Sequence, residues 1–356
     1  MGRSGVDLYP QQAGIPLEDV QTFAKYLGGS ATNVAVAAAR YQRRTAIITR
    51  TGDDPFGRFV HTALRAYGVD DRYVTPVPWL PTPVTFCEIF PPDDFPLYFY
   101  RWPKAPDLEI NPGELNLDAI RAAGVFWVTG TGLCAEPSRT ATLAALQARA
   151  GQETGQGAGQ ETGQGAGQET DEGAGQETGP GAGRQITVLD LDYRAQFWPS
   201  REQARYWMQQ ALPYVSVAVG NLDECDTAVG EREPLAAARA LHEFGVRLAI
   251  VKQGPNGVLA SQDGQASTVP PLPVTVLNGL GAGDAFGGAL CHGLLAGWDI
   301  EPLMRFANAA GALVASRLAC SDAMPTAAEV AELMASVPRE GVPPEGTSPD
   351  REGIRA

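Results

Sequence analysis

Within this chain of 356 residues, the stretch from Val274 to Phe286 holds the side chains best suited to chemistry. An apolar, β-branched run (Val274 to Leu277) gives way to a glycine-rich turn, and a helix of small residues is expected from Asp284 to Ala296. Such a turn aims free backbone N–H groups and the positive end of a helix dipole at one place, which makes an anion site. A carboxylate in that turn repels a bound phosphate unless it faces a hydroxyl and takes its proton as the oxygen attacks phosphorus. Asp284 is therefore the candidate base. The N–H groups of Gly281, Ala282 and Gly283 are candidates for stabilising charge on a moving phosphoryl group. Taken alone, these residues also describe a glycine turn with an aspartate as N-cap.

A second loop gives this reading company. Gly28 and Gly29 stand before Ser30, Ala31, Thr32 and Asn33, at the head of a helix expected over Ala31–Tyr41. Paired glycines let a ligand approach the backbone, and Asn33 offers a donor and an acceptor to a polyol. By itself this loop too reads as a routinely capped helix start.

Together the two loops resemble the paired signatures of the PfkB, or ribokinase-like, carbohydrate kinases. The resemblance runs across nearly the whole chain. It implies ATP and Mg²⁺ as cofactors, a small-molecule sugar substrate, and phosphorylation of a primary hydroxyl. It also implies roles residue by residue. Asp7, Gly28, Gly29 and Asn33 would hold sugar hydroxyls. Asn221 and Glu224 match the family's N-x-x-E motif, implicated in magnesium and phosphate handling, so any metal role of Glu224 is indirect. Lys252, Gly254 and Gly257 match the strand and turn that line the nucleotide, and Asn308 falls on the adenine-side helix. Two of these have plainer alternatives: a capped helix start for the Asn221–Glu224 motif, and a packing or surface residue for Asn308.

Within the family the match is to kinases of keto-deoxy sugar acids, one of them from inositol catabolism. It is carried by Gly2 to Tyr9, Phe23 to Gly29, Phe95 to Arg101 and Asp190 to Arg194. A guanidinium fork can clamp a carboxylate or sit over phosphate oxygens, and Arg101 and Arg194 are the candidates for both tasks; a surface ion pair is the alternative for each. The chain departs from the family twice. Asn278 and Gly279 stand where Asp-Thr is usual, which removes a carboxylate but keeps the loop. Met1 directly precedes Gly2 and Arg3 where an apolar strand is usual, so a start further upstream is expected.

The elements that must position these residues alternate. Strands are expected at Thr45–Thr49, Val125–Val128, Ile186–Leu191, Val215–Val219, Arg247–Lys252 and Val274–Leu277. Helices are expected at Ala31–Tyr41, Phe56–Ala66, Glu136–Ala150, Arg201–Leu212, Pro234–Phe244, Asp284–Ala296 and Glu301–Ala319. This order predicts an α/β fold with a mainly parallel central sheet, helices on both faces, and ligands at the strands' carboxyl ends. Two aromatic segments, Val84–Phe90 and Leu97–Arg101, break the pattern and read as a hairpin. With extended chain near Gly5–Tyr9 and Thr22–Tyr26 they form a small β-sheet lid, from about 5–27 and 82–103, on a single kinase domain spanning 1–337. An edge hairpin is the simpler alternative. A homodimer through the lid is a further expectation.

Residues 151–182 repeat an octad four times, beginning GQETGQGA, and six acidic residues lie between 151 and 184. Glycine-rich and almost free of apolar side chains, the segment cannot offset its ordering entropy, so 151–184 is expected to be a disordered surface insertion. A flexible tail is expected at 338–356.

Composition narrows the class. A net charge of −14 without a basic stripe argues against nucleic acid. No apolar run is long enough to cross a bilayer, so no membrane association is expected. Five scattered cysteines suggest reduced thiols and a cytoplasmic location. None of the three lysines (Lys25, Lys104, Lys252) follows a glycine, which excludes a Walker-type loop. Gly281, Gly283 and Gly287 also resemble a dinucleotide turn, but that turn belongs in the first βαβ unit and here it comes near the end. A non-catalytic sugar-binding protein has no need of Asp284. Another sugar kinase of the family, acting on 2-keto-3-deoxygluconate, ribose or fructose, is the remaining rival.

Overall fold

The computed structural model describes residues 1–153 and 185–336. Residues 151–153 extend the helix Ser138–Glu153; the rest of the expected insertion, and the tail, lie outside the described residues. A six-stranded sheet runs, in spatial order, Gln265–Val269, Val258–Gln262, Leu248–Lys252, Val217–Asn221, Ile186–Asp190 and Val125–Thr129. The last four are parallel to one another, and the first two form an antiparallel hairpin at the edge.

Burial on both faces explains the continuous apolar runs of the parallel strands. Val188, Val217, Val219, Leu248 and Ile250 pack into one core with the helices Ser30–Arg40, Ala282–Ala296 and Ile300–Ala315. Their neighbours Leu189, Ala218, Ala249 and Val251 point the other way, into a core with Ser138–Glu153, Arg201–Ala211 and Pro234–Glu243. The period of two thus builds both layers from one sheet.

The feature that matters most for function is the packing of Ser30–Arg40 against Ala282–Ala296. A Cβ on Gly288 would overlap that of Ala37, and one on Gly287 would stand 2.8 Å from the Trp127 ring. Glycine and alanine at the contact let the two backbones close up. Their N-termini therefore lie side by side, although far apart in sequence.

Four strands form a separate sheet in the order Phe23–Gly28, Gly5–Pro10, Val84–Cys87, Leu97–Tyr100. Asp7 pairs with Thr85, and Thr85 with Phe99, so these three share the face turned to the cleft. The other face carries Phe23, Phe86 and Tyr100, whose rings meet edge to face at 5.4 and 5.3 Å.

Several boundaries differ from expectation for physical reasons. Val274–Leu277 is not a strand: prolines at 270, 271 and 273 precede it, and the N–H groups of Leu277 and Asn278 go to the carbonyl of Ala315. The glycine loop therefore follows an unpaired extended segment, and the edge is closed by the 258–269 hairpin, whose polar strand Gln265–Val269 gave little apolar signal. Thr45–Thr49 splits into Thr45–Ala46 and Thr49–Gly52, each paired to a different short strand. The strand expected from Val215 begins at Val217, after a 3₁₀ turn over Leu212–Tyr214. The last long helix stops at Ala315 rather than Ala319.

Candidate active site

An open cleft lies between the four-stranded sheet and the carboxyl ends of the main strands. Asp284 sits at its floor, in the first turn of the helix Ala282–Ala296. That helix is capped by Gly281, whose φ of 81° lies in the left-handed region that suits glycine. A Cβ at Gly281 would also stand 2.7 Å from the sulfur of Cys320. Gly29, with φ of 101°, caps the neighbouring helix Ser30–Arg40 in the same way.

Side-by-side N-termini produce the central contact. Asn33 Nδ2 donates to Asp284 Oδ2 at 2.8 Å, between residues 251 apart in sequence. The other end of the amide is held as well, because Ser321 Oγ donates to Asn33 Oδ1 at 2.6 Å. Burial pushes the Asp284 carboxyl above its ordinary range, and the Asn33 bond opposes that shift. A carboxyl so placed is a stronger base than a solvated one, yet it is kept ionisable by a fixed donor.

Asp7 reaches the cleft from the four-stranded sheet, where burial pushes it up to about 7 against the opposing charge of Arg3. Gly28 does not line the cleft; a Cβ there would overlap the Asp7 carboxylate, so its part is to make room for Asp7. Tyr9 lies beside Asp7, its hydroxyl 3.3 Å from Asp7 Oδ2 and 2.6 Å from Cys320 Sγ.

On the far side, Lys252 ends its strand opposite Asn221 in register. Its Nζ lies where a Cβ on Gly283 would come within 3.3 Å of it, so the ammonium stands against the glycine loop. Burial lowers the Lys252 pKa, but Asp190, Glu224 and Asp284 outweigh it and hold the amine charged. Burial likewise pushes the Asp190 carboxyl up, with Lys252 opposing. Asn221 and Glu224 form a full capping box: Asn221 Oδ1 accepts from Glu224 N at 2.9 Å, and Glu224 Oε2 accepts from Asn221 N at 2.7 Å. The box fixes Glu224, whose other oxygen is 3.5 Å from Arg194 Nη1.

Arg101 and Arg194 both line the cleft, each ion-paired. Arg101 forks Asp107 at 2.7 and 2.9 Å; Arg194 meets Asp192 at 3.2 Å. Other expected residues sit elsewhere. Asn308 donates to the carbonyls of Val269 and Pro270 at 3.4 and 3.1 Å, so its amide ties down the proline-rich loop. A Cβ on Gly257 would overlap the carbonyl of Val269, which ties that glycine to the edge hairpin. Gly254 lies exposed in the turn Gly254–Asn256.

Ser321 and Cys320 carry no motif and were not legible in the sequence. Arg3 and Asp192 lie inside segments that carry the family resemblance, yet nothing in the sequence singled either out as a site residue. Asp192 has φ of 30°, unusual for a residue with a side chain, and its carboxylate accepts from Arg3 and Thr131. Burial opposes its charge, but Arg3 and Arg194 prevail and hold it below the usual carboxylate range. Among the described residues no helix is long and apolar enough to cross a membrane. None of their His, Cys, Asp and Glu side chains cluster as a direct metal cage.

Comparison with known proteins shows a family and a fold. The family model described as "pfkB family carbohydrate kinase" matches residues 2–155 and 179–327. The chain is 29% identical over 340 residues to the 5-dehydro-2-deoxygluconokinase of Geobacillus kaustophilus, covering 94% of this chain and 92% of that protein. It is equally 29% identical to the Bacillus subtilis protein of that name, over 339 residues and 94% of each chain. Among solved structures, Vibrio cholerae fructokinase with fructose, ADP and calcium bound has a TM-score of 0.75 at 22% identity, covering 94% of this chain and 97% of that one. An Escherichia coli protein described as a ribokinase II, solved with ATP and Mg²⁺, has a TM-score of 0.77 at 20% identity, covering 94% and 97%.

Proposed function

This chain belongs to the pfkB family of carbohydrate kinases, and we propose that it transfers the γ-phosphoryl group of ATP to the primary hydroxyl of 5-dehydro-2-deoxy-D-gluconate, in inositol catabolism in the cytoplasm. One observation carries the reading: Asp284, held by Asn33 at 2.8 Å, stands in the first helical turn directly after the Gly281–Gly283 anion loop. This arrangement supports a base and an oxyanion site within one turn of each other. Relatives named 5-dehydro-2-deoxygluconokinase, 29% identical over 94% of this chain, support a 5-keto, 2-deoxy sugar acid as the substrate.

The residues divide the work. The sugar lies under the lid, with Asp7, Gly29 and Asn33 at its hydroxyls. Asp284 takes the proton of the attacking hydroxyl as the new O–P bond forms and the bond to the departing ADP breaks. Backbone N–H groups of Gly281, Ala282 and Gly283, with Lys252 against the loop, stabilise the charge on the phosphoryl oxygens. Arg194, paired with Glu224, serves the phosphoryl end. Arg101, paired with Asp107 at the end of a lid strand, serves the substrate carboxylate. Glu224, fixed by its capping box, would act on Mg²⁺ indirectly. When bound, Mg²⁺ neutralises phosphate charge. Gly254, Gly257 and Asn308 shape the nucleotide side through the hairpin and the proline-rich loop. The aromatic outer face of the lid, with Tyr98 and Tyr100 exposed, suits a homodimer through the lid.

The test is ADP release with ATP and Mg²⁺ across a panel of 5-dehydro-2-deoxygluconate, 2-keto-3-deoxygluconate, ribose and fructose, for wild type and Asp284→Asn. The keto acid of the relatives is expected to give the highest kcat/KM, and the variant to lose at least about 10² in kcat. Preference for ribose or fructose refutes the substrate, and near-normal turnover by the variant refutes the base.

A further inference from the structure

We infer that Arg3 is a substrate contact and the specificity residue for the ketone oxygen beside the phosphorylated carbon. The inference rests on the proposed substrate. Arg3 lines the cleft and is only 6% exposed. Its Nε donates to Thr131 Oγ1 at 3.1 Å, and its Nη2 donates to both oxygens of Asp192 at 3.1 and 2.9 Å. Nη1 has no protein partner among the described residues. Nη1 is thus a charged donor of a cleft-lining residue that the protein leaves unused and a ligand oxygen can engage. The donor is also immobile, because Thr131 itself donates to Asp192 at 2.8 Å and closes the triangle.

The neighbours set which oxygen this is. Asp192 bridges Arg3 to Arg194, which is paired to Glu224 at the phosphoryl end. The Phe197 ring lies 5.6 Å from Arg3 and 5.0 Å from Arg101, so it links Arg3 to the other arginine. A chain of contacts thus runs from Arg194 through Asp192 to Arg3, and through Phe197 to Arg101. The backbone of Arg3 meanwhile presses on Gly29 and accepts from Thr32 Oγ1 at 3.0 Å, in the helix turn that carries Asn33. Arg3 therefore acts next to the reacting end, and Arg101 at the far end. In a 5-keto sugar acid phosphorylated at C6, the carbonyl on C5 is the acceptor adjacent to the reacting carbon, and the carboxylate is at the opposite end. An arginine offers donors only, which matches a ketone oxygen that only accepts.

The experiment is a cycle between residue and substrate atom. kcat/KM is measured for wild type, Arg3→Gln and Arg3→Lys, with 5-dehydro-2-deoxygluconate and with the analogue bearing CH₂ in place of the C5 carbonyl. Arg3→Gln is expected to lose roughly 10- to 100-fold on the keto acid and far less on the analogue, with KM for ATP unchanged. Arg3→Lys, which keeps the charge for Asp192 but not the fork, guards against misfolding and is expected to show the same selective loss. Equal losses on the two substrates, or no loss on the keto acid, overturn the role of Arg3. Failure of wild type to phosphorylate the keto acid at all refutes the substrate reading, and the inference with it.

Discussion

Replacing Asn33 by alanine tests how the site makes its base. The substitution removes the 2.8 Å bond from Nδ2 to Asp284 Oδ2. Burial already pushes Asp284 up, and Asn33 is the first of the contributions that oppose it. A hydrogen bond to a charged group is worth about 1.5–3 kcal/mol, and each 1.4 kcal/mol is about a factor of ten. The sign follows from which form works. Only the ionised carboxylate accepts a proton, so activity is lost as pH falls through the Asp284 pKa. Weakening the ionised form moves that loss to higher pH. On the acid side of the profile the variant is therefore expected to run roughly 10- to 100-fold below wild type, with the deficit shrinking as pH rises. The measurement is kcat/KM for the sugar against pH at saturating ATP, which reports ionisation in the sugar-free enzyme. Ser321→Ala, which frees the far end of the amide, is expected to move the profile in the same direction by less. A deficit that is uniform across pH would refute the reasoning, since Asn33 would then serve only to hold the sugar.

Other perturbations probe other links. Gly288→Ala is expected to lower stability by about 1–3 kcal/mol, the usual cost of overpacking, because its Cβ would overlap that of Ala37; kcat falls with it if helix contact sets the Asn33–Asp284 distance, and a normal kcat with a lowered melting temperature would break that link. Arg101→Ala is expected to lose about 10- to 100-fold on sugar acids and little on neutral sugars, whereas Arg194→Ala hurts all sugars through kcat; identical patterns would deny the division. Asp7→Asn addresses pH and stability together. Asp7 titrates near 7 when folded against an ordinary 3.8, so the stability it contributes in acid is lost as pH rises from the lower value towards 7. The variant is expected to gain in melting temperature relative to wild type between pH 5 and 8, and a constant difference would show that Asp7 is not so shifted.

The two helix starts at the cleft were legible from residue order alone. A glycine turn followed by Asp284, and a second ahead of Asn33, are local signals, because helix N-termini and left-handed glycines depend on a few consecutive residues. The alternation of apolar runs gave the parallel sheet for a similar reason: strands buried on both faces must be apolar throughout. What the chain could not show by itself was distance. Val274–Leu277 has strand composition but no neighbour to pair with, since prolines turn it away and Ala315 takes its N–H groups. Asn308 and Gly257 both meet the carbonyl of Val269, a contact that no local motif announces. Gly28 looks like a sugar contact until Asp7 is found filling its space. Ser321 and Cys320 have no motif because their partners, Asn33 and Tyr9, arrive from the other end of the chain. The same holds for Arg3 and Asp192, brought together by the meeting of the lid segment with the strand Ile186–Asp190. Local backbone chemistry wrote the anion loop and its carboxylate into the sequence. The pairing of charges around them was decided only by tertiary packing, because Coulomb and hydrogen-bond energies depend on separation in space and not along the chain.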